Sequence, residues 1–581
     1  MSLIAELKRR NVFRVGAAYV IVAWILIEVA SVILPTFKTP EWVMQAFTTL
    51  VILGFPLAVI LAWAFEMTPE GIKREAEVDR TESTTRPKGR KLDFAIIGLL
   101  AIAVVYFAVD KFVLEKAEVT AESVAREKSI AVLPFVNMSS DPEQDYFSDG
   151  ISEEILNELA QLPGLRVASR TSAFTFRGEN RNMGEIAAKL NVVYVLEGSV
   201  RKAGNRIRIA AQLIDASNEQ HLWSETYERE LIDVFAIQTD IARAVTRKIE
   251  IELGPRENAL LASTGSVNPE THEAYLRGQY EAAKFTADGF TRAIEHYQKA
   301  LVADPAYAPA HAGLANAYFM LGQPMGALPY REAMRDAKSA ALKALELDAS
   351  LSDAYTVLAK VTWVYDWDWE TADRTFRRAI ELNPNSAQAR SGYGIYLSYM
   401  GRHEEGIAQS MRAVELDPLS LGMRAARAEQ YYTARDYERS VEECQTLIEI
   451  NPNFQRAYSI LSWNYIVLEN YEKAIEADEL AGDISAEEAA SLRTAYTNLG
   501  KEGYWRWWLE WYEEQPIIYP IGIASAHAQL GNADAALASL EEAFEQRRGG
   551  LVFLRGYSNF DSIQADPRLS ELIRRMNFPD R

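Results

Sequence analysis

The side chains that most often carry out chemistry are sparse and scattered in this sequence. No two of its six histidines stand in the H-x-x-x-H spacing that presents two zinc ligands on one helix face. These histidines are His221, His272, His296, His311, His403 and His527. We therefore predict that the chain has no metal site.

Motifs for phosphate binding or nucleophilic catalysis are also missing from the sequence. It contains no Walker-type loop, no G-x-G-x-x-G after a predicted strand and no G-x-S-x-G elbow. Carboxylate pairs such as Glu153-Glu154 and Glu404-Glu405 fall on predicted helices, where such pairs usually form a solvated face. The sequence predicts a protein that is not an enzyme and that needs no cofactor.

Composition narrows the class of protein further. The chain has 581 residues, of which 49% are apolar and 24% charged, enough for several hydrophobic cores. Its formal charge of -20 argues against nucleic acid as a partner, because that binding depends on cations that neutralise phosphates. Cys444 is the lone cysteine, so no disulfide forms within the chain.

A repeat of 34 residues organises the carboxy-terminal half. Three Asx-Pro pairs, Asn383-Pro384, Asp417-Pro418 and Asn451-Pro452, each close an apolar-periodic stretch. This period predicts stacked helical hairpins over 270–483, and the pattern resembles the tetratricopeptide repeat (TPR). Such arrays bury their apolar faces between neighbouring hairpins and leave a long concave wall, which typically binds proteins or peptides.

Polar residues on the first helices of two repeats are the candidate partner-binding residues. They are Gln388, Ser391, Ser398, Glu429 and Tyr432. A peptide groove is the functional interpretation, and a merely solvated inner wall is the alternative. Divergent hairpins and a carboxy-terminal cap are predicted over 484–581, and the inner curve is expected to be open.

Three apolar segments predict a membrane anchor over 1–114. They lie at about 15–34, 46–65 and 94–114, each close to the length that crosses a bilayer. Lysines and arginines cluster before the first segment and between the second and third, which places the amino terminus in the cytoplasm. Three crossings would put the rest of the chain in the periplasm of a bacterial cell. If the third segment does not cross, that bulk is cytoplasmic.

A polar stalk at 115–127 leads to a predicted α/β module at 128–253. Apolar runs of strand length alternate with amphipathic helical stretches, and a β-hairpin turns at Ala203-Gly204-Asn205. A linker at 254–269 follows. The predicted fold class is therefore mainly α, with transmembrane helices, an α/β module and an α-solenoid of TPR hairpins.

Four ordered motifs in this module carry a family resemblance. They are Phe147-Ser-Asp-Gly-Ile-Ser-Glu-Glu154, Leu165-Arg-Val-Ala-Ser-Arg-Thr-Ser172, Leu196-Glu-Gly-Ser-Val200 and His221-Leu-Trp-Ser-Glu-Thr-Tyr227. They resemble the TolB amino-terminal domain and the related FlgO-type domain. The resemblance implies a noncatalytic α/β module of bacterial envelope and signalling proteins, often joined to TPR arrays and sometimes to a nucleotide cyclase or winged-helix domain.

Polar residues near the predicted strand ends mark a candidate functional edge of this module. They are Asp149, Arg170, Ser172 and Glu197. Ligands tend to lie at such edges. The structural alternative is that Asp149 caps the following helix and that Arg170 pairs with Glu197.

These features together predict a TPR scaffold anchored in the bacterial inner membrane that binds a protein or peptide partner on the periplasmic side. The alternative is a noncatalytic sensor or regulatory component of a membrane signalling system. The expected partners are a protein and the lipid bilayer, not nucleic acid, and self-association remains open.

Overall fold

The computed structural model describes most of the chain beyond residue 127. The described residues are 19, 23, 47–56, 65–68, 71–74, 128–178, 182–251, 254, 268–323, 325–515 and 519–579. The chain divides into two compact units, Met1–Arg126 and Glu127–Arg581.

The first unit is described only in short pieces. A helix occupies 47–56, and strands β1 (Phe65–Thr68) and β2 (Gly71–Arg74) pair in antiparallel fashion. None of the helices in the described part of the chain has the length and apolar character needed to cross a bilayer. The predicted stalk and, apart from isolated residues and the helix at 47–56, the three predicted spans lie outside the described residues. The membrane anchor therefore stays a prediction.

The second unit begins with a mixed β-sheet. Its strands are β3 (Ser129–Val132), β4 (Val136–Asn137), β5 (Arg166–Val167), β6 (Tyr194–Ala203), β7 (Arg206–Asp215) and β8 (Gln220–Glu230). The order is β5-β3-β6-β7-β8, with β4 also paired to β6. Strand β3 is parallel to both of its neighbours, β5 and β6. The pairs β6–β7 and β7–β8 are antiparallel.

Helices cover this sheet on both faces. They are α1 (Asp145–Ala160), α2 (Arg170–Ala173), α3 (Met183–Leu190) and α4 (Val234–Lys248). Apolar residues of α1 and α4 form one core with the sheet, and α3 contributes to a second core. Helix α1 begins at Asp145, so Asp149 lies within the helix and the predicted capping role of Asp149 is wrong.

Strand β8 is an element that the sequence analysis did not predict. Nearly all of its side chains are exposed or half-buried, and Tyr227 alone is buried. A strand at the margin of a sheet has few buried positions, so the apolar alternation that usually reveals a strand is absent. Ten of its eleven residues nevertheless pair with β7, and Leu222 lies at a register shift in the ladder.

Eight helical hairpins follow the α/β module in the described residues. Their helices are α5 (Pro269–Ala282), α6 (Ala287–Ala303), α7 (Ala308–Gly322), α8 (Tyr330–Leu347), α9 (Ser352–Val361), α10 (Trp369–Leu382), α11 (Ala387–Tyr399), α12 (His403–Leu416), α13 (Leu421–Thr433), α14 (Tyr437–Ile450), α15 (Gln455–Val467), α16 (Tyr471–Ala481), α17 (Ala486–Leu499), α18 (Lys501–Glu514), α19 (Pro520–Gln529) and α20 (Ala533–Glu545). Helices α5 to α16 lie in the region predicted as the TPR array, and α17 to α20 lie in the region predicted as divergent hairpins.

Local sequence explains where the repeat helices begin and end. Proline cannot continue a helix, so α10, α12 and α14 stop before the Asx-Pro pairs. Ser386 and Ser420 then cap the next helices, since each hydroxyl accepts a hydrogen bond from the backbone N–H three residues later. Alanines such as Ala379 and Ala413 are buried where helices approach closely.

The region that departs from the repeat period also folds as a hairpin, α17 and α18. Its aromatic run packs inward, with Tyr504, Trp505 and Trp508 buried in one cluster. The half-buried Trp507 donates from its indole nitrogen to Ser491 at 3.0 Å. These contacts make the aromatic run a packed helix face.

The chain ends in short turns and one helix. The 3₁₀ turns Gly549–Phe553 and Ser558–Ile563 precede α21 (Pro567–Arg575). We call residues 549–578 the C-terminal segment.

Candidate protein-binding site

The C-terminal segment packs against the first helices of the central hairpins. The ring of Phe553 lies 4.6 Å from that of Tyr399 on α11, measured between ring centroids. Tyr557 follows one turn later, with its ring 5.7 Å from Trp463 and 6.3 Å from Tyr432. Aromatic residues from three successive repeats therefore surround two aromatic residues of the chain's own terminus.

Polar contacts hold the same segment in its middle and near its end. Arg435 donates two hydrogen bonds to the carboxylate of Asp561, each 2.8 Å long. The indole nitrogen of Trp369 donates to the carbonyl of Met576 at 2.8 Å, and the Trp369 ring stacks on Phe578 at 4.1 Å. The expectation of an open inner curve is therefore wrong along these helices.

The apolar content of the segment explains why it lies there. Leu551, Val552, Leu554 and Phe560 are almost fully buried in the same core as residues of α7, α10 and α11. A tail with this many apolar residues gains about 25 cal/mol for each Å² that it removes from water. Covering the inner wall of the array provides that burial.

The five candidate groove residues therefore have different surroundings. Gln388 is exposed, but the other four are buried. The hydroxyl of Ser398 donates to the Gly394 carbonyl at 3.0 Å, within its own helix. The Glu429 carboxylate accepts from Tyr399 at 2.8 Å, and the Tyr432 hydroxyl lies 3.0 Å from that of Ser558. Partner binding at these residues remains a prediction.

Gln388 has polar counterparts on the preceding first helix, α9. Asp353, near the start of α9, is exposed to solvent, yet the surrounding protein raises the pKa of its carboxyl group by desolvation. Burial lowers the pKa of Lys360 to about 8. Lys360 lies beside α11, with its Cε 3.1 Å from the position of a Cβ on Gly392, one turn after Gln388. We call Asp353, Lys360 and Gln388 the polar recess.

The α/β module contributes charge to this recess. Glu153 on α1 pairs with Arg170 on α2, with 2.7 Å between the Glu153 Oε2 and Arg170 Nε atoms. Desolvation raises the pKa of Glu153, and the negative charge of Asp353 raises it further. The module and the repeats therefore meet at one group of ionisable side chains.

Asn385 fixes the edge of the sheet to the array. Its side-chain oxygen accepts a hydrogen bond from the Val167 backbone N–H at 3.1 Å. Its amide nitrogen donates to the carbonyls of Ala160 and Leu165, at 2.9 and 2.7 Å. One buried side chain thus satisfies three backbone groups of the module.

The turn at residues 417–419, one repeat further along the array, makes a second attachment to the module. The Ser172 hydroxyl donates to the Asp417 carboxylate at 2.6 Å and accepts from the Leu419 backbone N–H at 2.8 Å. Helix α1 also reaches α5, because a Cβ on Gly150 would lie 2.5 Å from a methyl group of Leu276. The module and the array form one packed body.

The four candidate residues of the module edge are not brought together as one site. Ser172 binds the array, and Arg170 pairs with Glu153, so the predicted Arg170–Glu197 pair is wrong. Glu197 accepts from Gln212, its partner across the β6–β7 ladder. Asp149 is buried in α1 and pairs with Arg177. We observe structural contacts for these residues, and ligand binding by them stays a prediction.

The described residues place no group of three or more histidine, cysteine, aspartate or glutamate side chains where it could hold a metal ion. The inner wall therefore presents exposed polar residues at Asp353 and Gln388, whereas its aromatic part is already covered by the C-terminal segment.

Sequence reasoning did not find the residues that join the two parts of this body. Asn385 follows Pro384 as Asn453 follows Pro452, but Asn453 is exposed. The same local pattern thus gives a docking residue after one Asx-Pro pair and a solvent-exposed residue after another. Only the three-dimensional position of the module distinguishes them.

Comparison with known families identifies two parts of the chain. Residues 126–244 match the family described as HilA/YgeH-like transcriptional regulator, second domain. Residues 290–322 match the TPR repeat family. The TolB or FlgO relationship of the module stays a prediction.

Two curated relatives share parts of the chain. A putative adenylate cyclase 3 of Rhizobium meliloti (strain 1021) is 40% identical over 239 residues, which cover 41% of this chain and 40% of the relative. The transcriptional regulator HilA of Salmonella typhimurium is 25% identical over 285 residues, 48% of this chain and 49% of the relative. The chain thus spans less than half the length of either relative.

Solved structures with detectable similarity are distant. A thermophilic TPR protein of Thermus thermophilus is 17% identical with a TM-score of 0.28, covering 33% of this chain and 98% of that chain. Pseudomonas aeruginosa pilF is 17% identical with a TM-score of 0.29, and the match covers 41% of this chain and 99% of that chain.

The repeat match and the helical hairpins show that the chain carries a TPR array and is mainly helical, with an α/β module packed on the array.

Proposed function

We propose that this chain is a noncatalytic scaffold that binds a protein or peptide partner through its TPR array. The observation that carries the proposal is the polar recess on the first helices, the part of the inner wall beside the α/β module. Exposed Asp353 and Gln388 lie at the start of two successive first helices. A partner segment bound there would contact the repeats and would lie near the Glu153–Arg170 pair.

The site of action is a further part of this proposal. The three apolar segments of residues 1–114 would anchor the chain in the bacterial inner membrane, with the amino terminus in the cytoplasm and the module and repeats in the periplasm. The cation distribution in the flanking loops supports this orientation.

Photo-crosslinking from the recess tests the scaffold proposal. A photoreactive amino acid replaces Gln388 in the full-length chain in cells, and a second chain carries it at exposed Asn453, at a repeat corner. We expect a discrete adduct with another protein from position 388 and not from position 453. No adduct from position 388, or the same adducts from both positions, would refute binding at the recess.

A regulatory role is the second candidate function. The similarity to a putative adenylate cyclase and to the transcriptional regulator HilA favours it, because both names denote signalling or regulatory proteins. In this role the chain would be a noncatalytic sensor that transmits a signal through residues 66–92, between the second and third predicted spans. Crosslinks from those residues that change with a stimulus would support regulation, whereas a partner bound regardless of stimulus would support scaffolding.

A further inference from the structure

The two margins of the β-sheet differ in what covers them. At the β5 margin, the Val167 N–H donates to Asn385 and the Ser169 N–H donates to the Leu416 carbonyl at 2.7 Å, so the array covers this edge. At the other margin lies β8, which pairs with β7 on one side. Among the described strands, none pairs with the outer side of β8. Its outward N–H and C=O groups can therefore accept another strand.

A groove follows this open edge, between β8 and helix α4. Its volume is about 730 Å³, and it lies on the face of the sheet that carries α4. The lining residues come from both elements: Glu225, Thr226, Tyr227, Glu228, Arg229, Asp240, Arg243, Thr246 and Arg247. An open strand edge beside a groove is the geometry of strand addition, in which backbone hydrogen bonds supply affinity and the groove selects alternate side chains.

The acidic side chains of the groove already have partners. Glu225 accepts a hydrogen bond from the Tyr227 hydroxyl at 3.0 Å. Glu228 pairs with Arg206 at 2.8 Å, and Asp240 pairs with Arg229 at 3.2 Å.

Two arginines that line the groove, Arg243 and Arg247, lie on α4. The guanidinium of Arg247 donates a hydrogen bond to the Arg243 carbonyl. Burial raises the pKa of the Glu158 carboxyl group, and the positive charge of Arg243 partly offsets that rise. Neither arginine forms an ion pair with a carboxylate in the part of the chain that the structure describes. Arg247 is exposed and Arg243 is half-buried. A hydrogen bond from Tyr227 does not neutralise Glu225, so the charges left after the ion pairs are the two cations Arg243 and Arg247 against one carboxylate. The groove therefore has a small positive excess.

We propose that the outer edge of β8 binds an extended segment of a partner protein that carries acidic side chains at alternate positions. The segment adds a strand to the sheet, and its carboxylates pair with Arg243 and Arg247. This site lies on the α/β module and is independent of the function proposed for the repeats.

A second copy of this chain fits the edge less well. Strand β8 carries Glu225, Glu228 and Glu230 against the single cation Arg229. Two such strands side by side would bring like charges together across the ladder, which destabilises strand pairing. A partner segment can place its carboxylates on the α4 face alone, where β8 presents Tyr227 and Arg229 beside Glu225. Because side chains alternate between the two faces of a strand, such carboxylates stay away from Glu228 and Glu230.

A displayed peptide library provides the test. Random twelve-residue peptides on phage are selected against the full-length chain in detergent micelles, and the best peptide is synthesised for fluorescence anisotropy. We expect selected sequences with aspartate or glutamate at alternate positions. The double substitution R243E/R247E should weaken binding by about tenfold or more, since it reverses both charges. The matched control K248E changes an exposed cation on the same helix that does not line the groove.

Backbone methylation separates strand addition from simple charge attraction. N-methyl groups on one alternate set of peptide residues should abolish binding, and the same groups on the other set should be tolerated, because only every second N–H of an added strand faces β8. Equal effects of both sets would overturn the proposal, as would selection without acidic alternation, failure to select any peptide, or binding unchanged in R243E/R247E. Slow hydrogen exchange at the outward-facing amides of β8 before peptide addition would show that residues 255–267 or a second copy already cover the edge, which also overturns the proposal.

Discussion

Ser172 of the α/β module donates a hydrogen bond of 2.6 Å to Asp417, the residue of the Asp417-Pro418 pair that closes a repeat. The residue that marks the 34-residue period in the sequence thus also attaches the array to its neighbour. Both side chains are buried. The two parts of the chain are therefore expected to unfold and to bind partners as a single body.

Removing the Asn385 side chain should loosen this attachment. Asn385→Ala leaves one buried N–H and two buried carbonyls of the module without partners, and we expect a loss of about 3 kcal/mol in the free energy of unfolding. Urea denaturation followed by circular dichroism measures the loss. Asn453→Ala is the matched control, because this exposed residue has the same place after its Asx-Pro pair, and it should change stability by less than about 0.5 kcal/mol. Equal losses in the two variants would contradict the docking role.

The C-terminal segment should be held by packing more than by charge. Phe560 is 1% exposed, so Phe560→Ala should cost about 3–5 kcal/mol of stability. Arg435→Ala removes a half-exposed ion pair with Asp561 and should cost about 1 kcal/mol or less. Protease cleavage within 546–556 should rise strongly in the first variant and little in the second. The reverse order would show that the segment is tethered mainly by Arg435.

A buried carboxyl group should make stability fall as the pH rises. Burial raises the pKa of Asp478 from 3.8 to about 7, so folding favours its protonated form. That contribution is complete below about pH 4 and is lost as the pH passes through 7. The stability of Asp478→Asn relative to the wild type should therefore increase by about 4 kcal/mol from pH 4 to pH 8.

Thermal unfolding of both proteins from pH 4 to 8 measures this difference. Exposed Asp288→Asn serves as the control and should track the wild type across the range. If the difference between Asp478→Asn and the wild type stays constant with pH, the carboxyl group is not protonated on folding.

The close approach of α1 to α5 should depend on a glycine. A methyl group at Gly150 would meet the side chain of Leu276, which is fully buried, and Gly150→Ala should cost about 1–3 kcal/mol. Gly422→Ala is the matched control, because the nearest atom to its new methyl group is 3.8 Å away and alanine favours a helix. It should stabilise the chain by up to about 1 kcal/mol. A double-mutant cycle with Leu276→Ala should show that the two changes at the contact are not additive.

The repeated hairpins could be predicted from sequence because their signals are local. Proline at 384, 418 and 452 stops a helix wherever the chain goes, and small residues mark close helix contacts. The occupied inner wall could not be predicted in this way. Phe553 and Tyr557 contact residues some 90 to 190 positions earlier, and nothing in the local sequence distinguishes a tail that caps the last hairpin from one that folds back inside.

The candidate site was predicted only in part for the same reason. Gln388 is exposed on its helix, but Ser391 in the same predicted row is buried. The periodicity of one helix places residues on a face, whereas the body that packs on that face is supplied by distant sequence. Strand β8 was missed because its side chains are polar on both faces, as suits the margin of a sheet.

Co-purification from cells tests the scaffold account most directly. The wild-type chain, the recess variant D353R/Q388R and the control N453R are purified from detergent-solubilised membranes, and the bound proteins are identified by mass spectrometry. The account predicts a protein that accompanies the wild type and N453R in fixed proportion and is lost from D353R/Q388R. The same set of proteins with all three chains, while circular dichroism shows all three folded, would contradict it.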